Sequence, residues 1–127
     1  MKVLVLSNGE LKEKEINNTL EELQKIVGGY IEIPFLSKVF FENEIDIIIN
    51  EEGKFIEDCK PEIAVVKKGT NTILDVVMGN CIFASHDVEG NTTALNDKQT
   101  KIVMEELKTV AEIAIKDGSH LVRALFI

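Results

Sequence analysis

Residues 3–16 read VLVLSNGELKEKEI, and this stretch decides how the fold begins. Val3 to Leu6 is an unbroken apolar run, which is typical of a strand buried on both faces. Asn8-Gly9 follows, and this dipeptide is a strong hairpin signal because both residues tolerate a positive φ angle. The return segment, residues 10–16, is heavily charged, which suits a sheet edge where charged side chains discourage unwanted pairing. The sequence therefore predicts a β-hairpin with one central strand and one edge strand.

Two helices are predicted from their capping residues and apolar stripes. The first begins after Thr19 in a capping box with the acid three residues later, and Gly28 ends it. The second has a capping box at Asn96 and is predicted to run from Asp97 to Asp117, a length of about 30 Å. A helix of that length would lie across a whole sheet face.

The remaining apolar runs predict strands. Pro34 removes a backbone donor, so the strand that contains it is expected at a sheet edge or is expected to end early. The apolar segment Leu121–Ile127 is expected to pair as a strand or to cover a partner. The strands are predicted at 30–36, 44–50, 54–56 (as the return of a hairpin turn at 50–53), 63–66, 73–78 and 81–84.

The order of these elements predicts the fold class. Strands come in runs, and the two helices do not alternate regularly with them as they would in a βαβ protein. We therefore expect one domain, residues 1–127, of the α+β class, with a mainly antiparallel sheet and two helices packed on one face.

The charge of the chain is unevenly distributed. The net charge is −8, and residues 42–62 carry eight acidic and two basic side chains, or −6. Arg123 is the single arginine, so the contacts that nucleic-acid phosphates require are scarce, and direct nucleic-acid binding is disfavoured. The acidic segment fits a partner with a basic surface, and it equally fits a role in solubility alone.

The apolar runs also indicate where the protein acts. None approaches the length of a membrane span, and the N-terminal apolar stretch is too short for a signal sequence. We expect a cytoplasmic protein (host cytoplasm if a phage encodes it), no membrane partner, and two reduced cysteines, Cys59 and Cys81.

Candidate catalytic and metal-binding patterns are weak. Ser85-His86-Asp87 has the residue types of a catalytic triad, but neighbours on an extended chain point to opposite faces and do not converge. Cys59, Cys81, His86 and His120 lack the close spacing that fixes two metal ligands on one turn. The sequence therefore predicts no catalytic residue, no metal site and no cofactor, and we expect that the protein is not an enzyme.

Most candidate binding residues lie in or beside turns that follow predicted strands, and Asp75 lies within the strand predicted at 73–78. Rigid strands would hold these polar side chains for contact with a protein, or with the ribose hydroxyls and base edges of a nucleotide. They are Asn50, Glu51, Glu52, Gly53, Lys54, Glu57, Asp58, Asp75 and Asn80.

Four stretches resemble an uncharacterised family. The family, domain of unknown function three-eight-four-six, occurs in small proteins of phages, plasmids and conjugative elements. The similar stretches are Leu20–Glu32, Asn50–Lys54, Asp75–Asn80 and Thr93–Gln99, and the likeness covers roughly residues 1–108, so that 109–127 would be the helix end and an apolar tail. The resemblance implies an accessory gene of a mobile element and assigns no chemistry.

Two functions lead at this point, and a structural or assembly role within the mobile element stays open beside them. The leading hypothesis is a non-catalytic accessory protein that binds and modulates a host protein with a basic surface, such as a defence protein. Its expected contact surfaces are the acidic segment and the apolar tail. The alternative is a small-ligand binder, such as a sponge for a nucleotide signal, with its site shared across a dimer. The apolar tail slightly favours a homodimer in either case.

Overall fold

The computed structural model describes all 127 residues, and the predicted hairpin opens it. Its two strands pair antiparallel from Lys2↔Glu15 to Ser7↔Glu10. Asn8 and Gly9 form the turn with φ angles of 52° and 79°, the left-handed values that this dipeptide accommodates. The charged second strand lies at the edge of its sheet, as predicted.

The whole chain has ten strands, including the two of the hairpin, and three helices. The strands are β1 (Lys2–Ser7), β2 (Glu10–Glu15), β3 (Ile31–Glu32), β4 (Ile45–Asn50), β5 (Pro61–Val66), β6 (Ile73–Met78), β7 (Cys81–His86), β8 (Thr92–Thr93), β9 (Val110–Ile115) and β10 (Gly118–Phe126). The helices are α1 (Leu20–Val27), α2 (Lys38–Glu42) and α3 (Asp97–Glu106), with a 3-10 turn at Gly53–Phe55. None of the three helices combines the length and the apolar character that crossing a membrane requires.

The strands form two sheets. The first has the order β2-β1-β7-β4-β3, with the short β8 beside β7, and all its pairs are antiparallel. The second has the order β6-β5-β10-β9, and its central pair, β5 with β10, is parallel. All other pairs in it are antiparallel. The predicted class, α+β with mainly antiparallel sheet, is confirmed.

The core lies on both faces of the first sheet, because β1 is apolar on both. Between the two sheets, Leu4 and Leu6 join Ile63, Leu125 and the α3 residue Val103 in one buried cluster. On the opposite face, Val3 and Val5 pack with Leu23 and Val27 of α1. The prediction of two helices on one face is therefore corrected, since α1 and α3 contribute to different clusters.

The predicted long helix is the main error of the sequence reading. Helix α3 begins with the predicted Asn96–Gln99 capping box, but it ends at Glu106, and residues 110–115 form β9. Positions 111, 113 and 115 alternate as a strand requires, and pairing with β10 decides between the two patterns. Gly118, expected to stop the helix, instead follows the two-residue turn between β9 and β10.

Three other predictions about strands have different outcomes. Tyr30–Leu36 forms a strand only at Ile31–Glu32, and this strand lies at the sheet edge as Pro34 predicts. Residues 54–56 are not a hairpin strand, because the chain enters the 3-10 turn there. The apolar tail 121–127 pairs as a strand, as predicted, and Ala124 and Leu125 are buried. Its strand is central in the sheet, but Leu121, Phe126 and Ile127 remain exposed, so the tail as a contact surface and the dimer through it stay predictions.

Candidate functional site

The Asn50 side chain stabilises the turn that follows β4. This side chain is buried, and its Oδ1 accepts a hydrogen bond from the Glu52 backbone N–H at 2.9 Å. Its Nδ2 lies so close to the backbone of Gly29 that a Cβ there would meet it at 2.9 Å. Asn50, predicted as a binding residue, therefore has a structural role that ties the turn to the end of α1.

Gly53 brings the same turn against β6. Its position is buried, and a Cβ added to it would lie 2.6 Å from the backbone oxygen of Met78. Only glycine permits so close an approach of two backbones. The 3-10 turn is therefore packed tightly on the second sheet, and Gly53 acts as a contact between backbones.

An ion pair fixes the turn to β6 a second time. Lys54 Nζ lies 2.7 Å from Asp75 Oδ1. The hydrogen bond from the Lys54 ammonium is the main reason that the pKa of Asp75 is held below its ordinary value. Two predicted binding residues from distant parts of the sequence thus meet, and each neutralises the other's charge.

The outer side of the turn exposes both acidic and apolar side chains. Glu51, Glu52, Glu57 and Asp58 are all exposed, and between them Phe55 is 87% exposed and Ile56 44%. We call residues 51–58 the acidic turn surface. Five of the nine predicted residues, the four acids and Lys54, lie on its exposed part, and the others support it or lie elsewhere.

Asn80 is not part of the acidic turn surface and has a structural hydrogen bond instead. Its Nδ2 donates a hydrogen bond to the backbone oxygen of Ile26 at 3.1 Å, which satisfies a carbonyl in the last turn of α1. Asn50 and Asn80 thus both make intramolecular hydrogen bonds, although both were predicted to contact a ligand.

The acidic segment 42–62 is less exposed than its charge predicts. Glu62 is buried, and its two carboxylate oxygens accept hydrogen bonds from the backbone N–H groups of Asn8 (3.1 Å) and Gly9 (2.8 Å). Arg123 Nε donates to the Gly9 oxygen at 3.0 Å. This pair of charged side chains holds the tip of the first hairpin against the second sheet.

Sequence reasoning missed both members of this clamp. Each is a single charge inside an apolar strand, in the stretches Pro61–Val66 and Leu121–Phe126. A charge in that position is costly unless it has partners, so the isolated charge was itself the available signal. The Nε2 atom of His120 lies 3.9 Å from Glu62 Oε2, buried and without a hydrogen-bond partner.

The triad-like residues do not converge. Ser85 is buried and donates to the Glu44 backbone oxygen at 2.8 Å, and it accepts from Gln99 at 2.9 Å. The His86 ring contacts Asp46 instead, at 3.0 Å, while Asp87 closes its own loop by accepting from Asn91.

No three His, Cys, Asp or Glu side chains come together in a metal-ligand arrangement. Both cysteines are free, and burial raises the pKa of the Cys59 thiol and that of the Cys81 thiol. A raised pKa keeps these thiols protonated and weakly reactive.

Two depressions adjoin the acidic turn surface. A small one, of about 140 Å³, is lined by Asn50, Gly53 and Asp75 among others. A cleft of about 610 Å³ is lined by residues of β6 and β9, the two edge strands of the second sheet, and by Glu57 and Asp58. The cleft has the size of known small-molecule sites.

Comparison with known proteins gives one match. The family described as Domain of unknown function (DUF3846) matches residues 1–108, which end before β9 begins. No curated protein and no solved structure matches the chain. Because the match covers most of the sequence, this chain belongs to the DUF3846 family.

Proposed function

We propose that this protein is a non-catalytic accessory protein that binds another protein through the acidic turn surface, residues 51–58. The observation that carries the proposal is Phe55, a large aromatic side chain that is 87% exposed at the centre of that surface. Aromatic anchors that become buried contribute much of the energy of protein interfaces, and Phe55 with the exposed Ile56 forms the apolar part of this surface.

The rigidity of the turn supports this role. Gly53 packs on Met78, Lys54 pairs with Asp75, and Asn50 accepts from the backbone of Glu52. A side chain presented by a fixed backbone loses less conformational freedom on binding than one on a loose loop. Phe55 therefore resembles an anchor that is ordered before its partner arrives.

The charges define the chemistry of the partner. Four exposed carboxylates flank Phe55, and the nearby Lys54 is already paired with Asp75. A complementary surface has an apolar pocket with lysine or arginine at its rim. Rim charges of opposite sign chiefly accelerate association, and their effect weakens as salt rises.

In the mobile-element setting that the family resemblance implies, the partner is a host protein. Covering a basic surface is a direct way to modulate a host defence protein that uses that surface. The cytoplasm of the host is then the place of action.

Small-ligand binding is a second candidate function, and the cleft lined by residues of β6 and β9 favours it. Apolar side chains of Val76, Met78 and Ile113 line the cleft, and Lys60 and Lys116 lie at it beside acidic groups. A ligand there would be a small molecule with an apolar body and charged ends. Native mass spectrometry of the purified protein tests this candidate by the mass of any bound molecule.

The experiment for the leading proposal compares two matched quadruple variants. One neutralises the acidic turn surface (Glu51→Gln, Glu52→Gln, Glu57→Gln, Asp58→Asn). The control neutralises four exposed acids elsewhere (Glu13→Gln, Glu21→Gln, Glu89→Gln, Asp97→Asn). Both variants change the net charge equally, so they separate a local effect from a general one.

Affinity for the host protein captured by the wild type is then measured at about 0.05 M and about 0.3 M salt. Four rim contacts at a few tenths of a kcal/mol each predict a loss of about tenfold or more for the first variant, with a weaker salt dependence. The control should match the wild type. Equal affinities for all three proteins would contradict the proposal.

A further inference from the structure

Strand β9 is an open sheet edge without the usual protection. Both edges of the first sheet are protected. Its edge strand β2 has five charged residues among six, and the other edge strand, β3, has only two residues. The 3-10 turn packs against β6 through Gly53. β9 has six residues, one charged side chain (Glu112), and β10 as its only neighbour in the sheet. Edges of this kind readily pair with another strand.

The hydrogen bonds of β10 show which backbone groups of β9 are free. The Ala124 N–H donates to the Thr109 oxygen at 2.9 Å, and Ile115 lies opposite Gly118 across the turn. Hydrogen-bonded pairs of an antiparallel ladder recur at every second residue, so the odd-numbered residues of β9 bond to β10. The N–H and C=O groups of Val110, Glu112 and Ala114 therefore point away from the sheet.

We propose that a second copy of this chain occupies the β9 edge, with the two β9 strands antiparallel and Ile113 on the two-fold axis. In this register the free groups of Glu112 bond to those of Ala114 in the second copy. On the other face Ala111 lies opposite Ile115, and Ile113 lies opposite itself. Every cross-strand pair on that face is then apolar.

Charge and apolar pairing together select this register and a second copy as the occupant, because the register with Glu112 directly opposite Lys116 would pair Ala111 with Asp117. Glu112 lies diagonally across from Lys116 of the second copy, which is within reach of long side chains. The register with Glu112 directly opposite itself would place like charges together, which destabilises a strand pair. A two-fold axis repeats each favourable contact, and two-fold dimers are the commonest protein assemblies. The two copies form one continuous eight-stranded sheet.

This dimer does not rest on the proposed function, because β9 contains none of residues 51–58, although Ile113 lines the same cleft as Glu57 and Asp58. It forms through β9 and not through the apolar tail, whose strand β10 is internal. The prediction can be tested with the purified full chain and no partner.

The test is sedimentation equilibrium of the wild type and three charge variants. The wild type should show a mass twice the 14.2 kDa of one chain at micromolar concentration. Glu112→Lys and Lys116→Glu should each raise the dimer dissociation constant about tenfold, since each creates two like-charge contacts. The double exchange should restore the wild-type constant.

If the double exchange restores the dissociation constant, Glu112 and Lys116 contact each other between copies. A purely structural role of Glu112 within its own chain would not give this result. Glu112 also accepts a hydrogen bond from Ser119 in its own chain, and Lys116→Glu cannot restore that bond. In addition, Ile113→Cys should form a disulfide between copies under mild oxidation, whereas Val88→Cys on the exposed 87–91 loop should not. Thermal unfolding of each variant verifies that it folds.

A wild type that remains a monomer throughout the micromolar range overturns the proposal. So does a dimer that neither charge variant weakens, or one in which Ile113→Cys gives no cross-link. Lys116 lies in the exposed turn of the β9–β10 hairpin, so its variant keeps the proposal falsifiable should Glu112→Lys fail to fold.

Discussion

Replacing Glu62 tests whether the clamp on the first hairpin stabilises the two-sheet fold. The carboxylate is buried and accepts hydrogen bonds from the backbone N–H groups of Asn8 and Gly9. In Glu62→Gln one acceptor is replaced by an NH₂ group that faces an N–H donor. A hydrogen bond to a charged group contributes about 1.5–3 kcal/mol net, so we expect a loss of about 2–3 kcal/mol of unfolding free energy. Glu62→Ala removes both acceptors and leaves a cavity, which predicts about 3–5 kcal/mol.

Urea unfolding followed by circular dichroism measures these losses. For a chain of 127 residues, 2–3 kcal/mol corresponds to a fall in Tm of roughly 10 °C. Glu13→Gln, on the exposed face of the same hairpin, is the control and should change stability by less than about 0.5 kcal/mol. If Glu62→Gln were as stable as this control, the buried carboxylate would not hold the hairpin, and the reasoning would be refuted.

Three further predictions concern the turn and the core. Gly53→Ala should cost about 1–3 kcal/mol in urea unfolding, because its Cβ would overlap the Met78 oxygen; unchanged stability would mean that the two backbones are not in contact. The pKa of Asp75 is lowered, so its pair with Lys54 stabilises the fold above the ordinary carboxyl pKa and is lost as pH falls through the folded value. Lys54→Met should return the Asp75 pKa towards its ordinary value in an NMR titration, and no movement would rule out the pair. Leu125→Ala should cost about 2–5 kcal/mol as a core substitution, whereas a surface tail would tolerate it.

Short-range signals in the sequence predicted much of the fold. The Asn8-Gly9 turn, the Thr19 cap with Gly28, and the Asn96 capping box all lie where they were expected. Each depends on hydrogen bonds or φ angles within a few residues, so the local sequence suffices to specify it.

Long-range pairing limited the rest of the prediction. Residues 110–115 fit a helical stripe as well as a strand, and only their pairing with β10 decides the outcome. The parallel pair of β5 and β10 joins Ile63 to Arg123, which no local pattern specifies. The division into two sheets depends on that pair and could not be anticipated.

The candidate binding residues stay a prediction, and the structure shows only where their side chains lie. Residues 50–54 and Asp75 do come together, but Asn50, Gly53, Lys54 and Asp75 support the turn. Phe55, which the sequence reading treated as part of a strand, became the central exposed residue. Exposure of a side chain depends on the tertiary fold. Phe55 lies in a short apolar stretch, and nothing in that local sequence indicates that its side chain is exposed.

Photo-cross-linking from position 55 tests the central claim most directly. A photoreactive amino acid replaces Phe55 in one protein and Val88 in another, because both side chains are exposed on separate turns. After irradiation in the host cell, we predict a covalent complex with one basic-surfaced protein from position 55 and none from position 88. Neutralising Glu51, Glu52, Glu57 and Asp58 should reduce its yield. No complex from position 55, or the same complex from both positions, would contradict the claim.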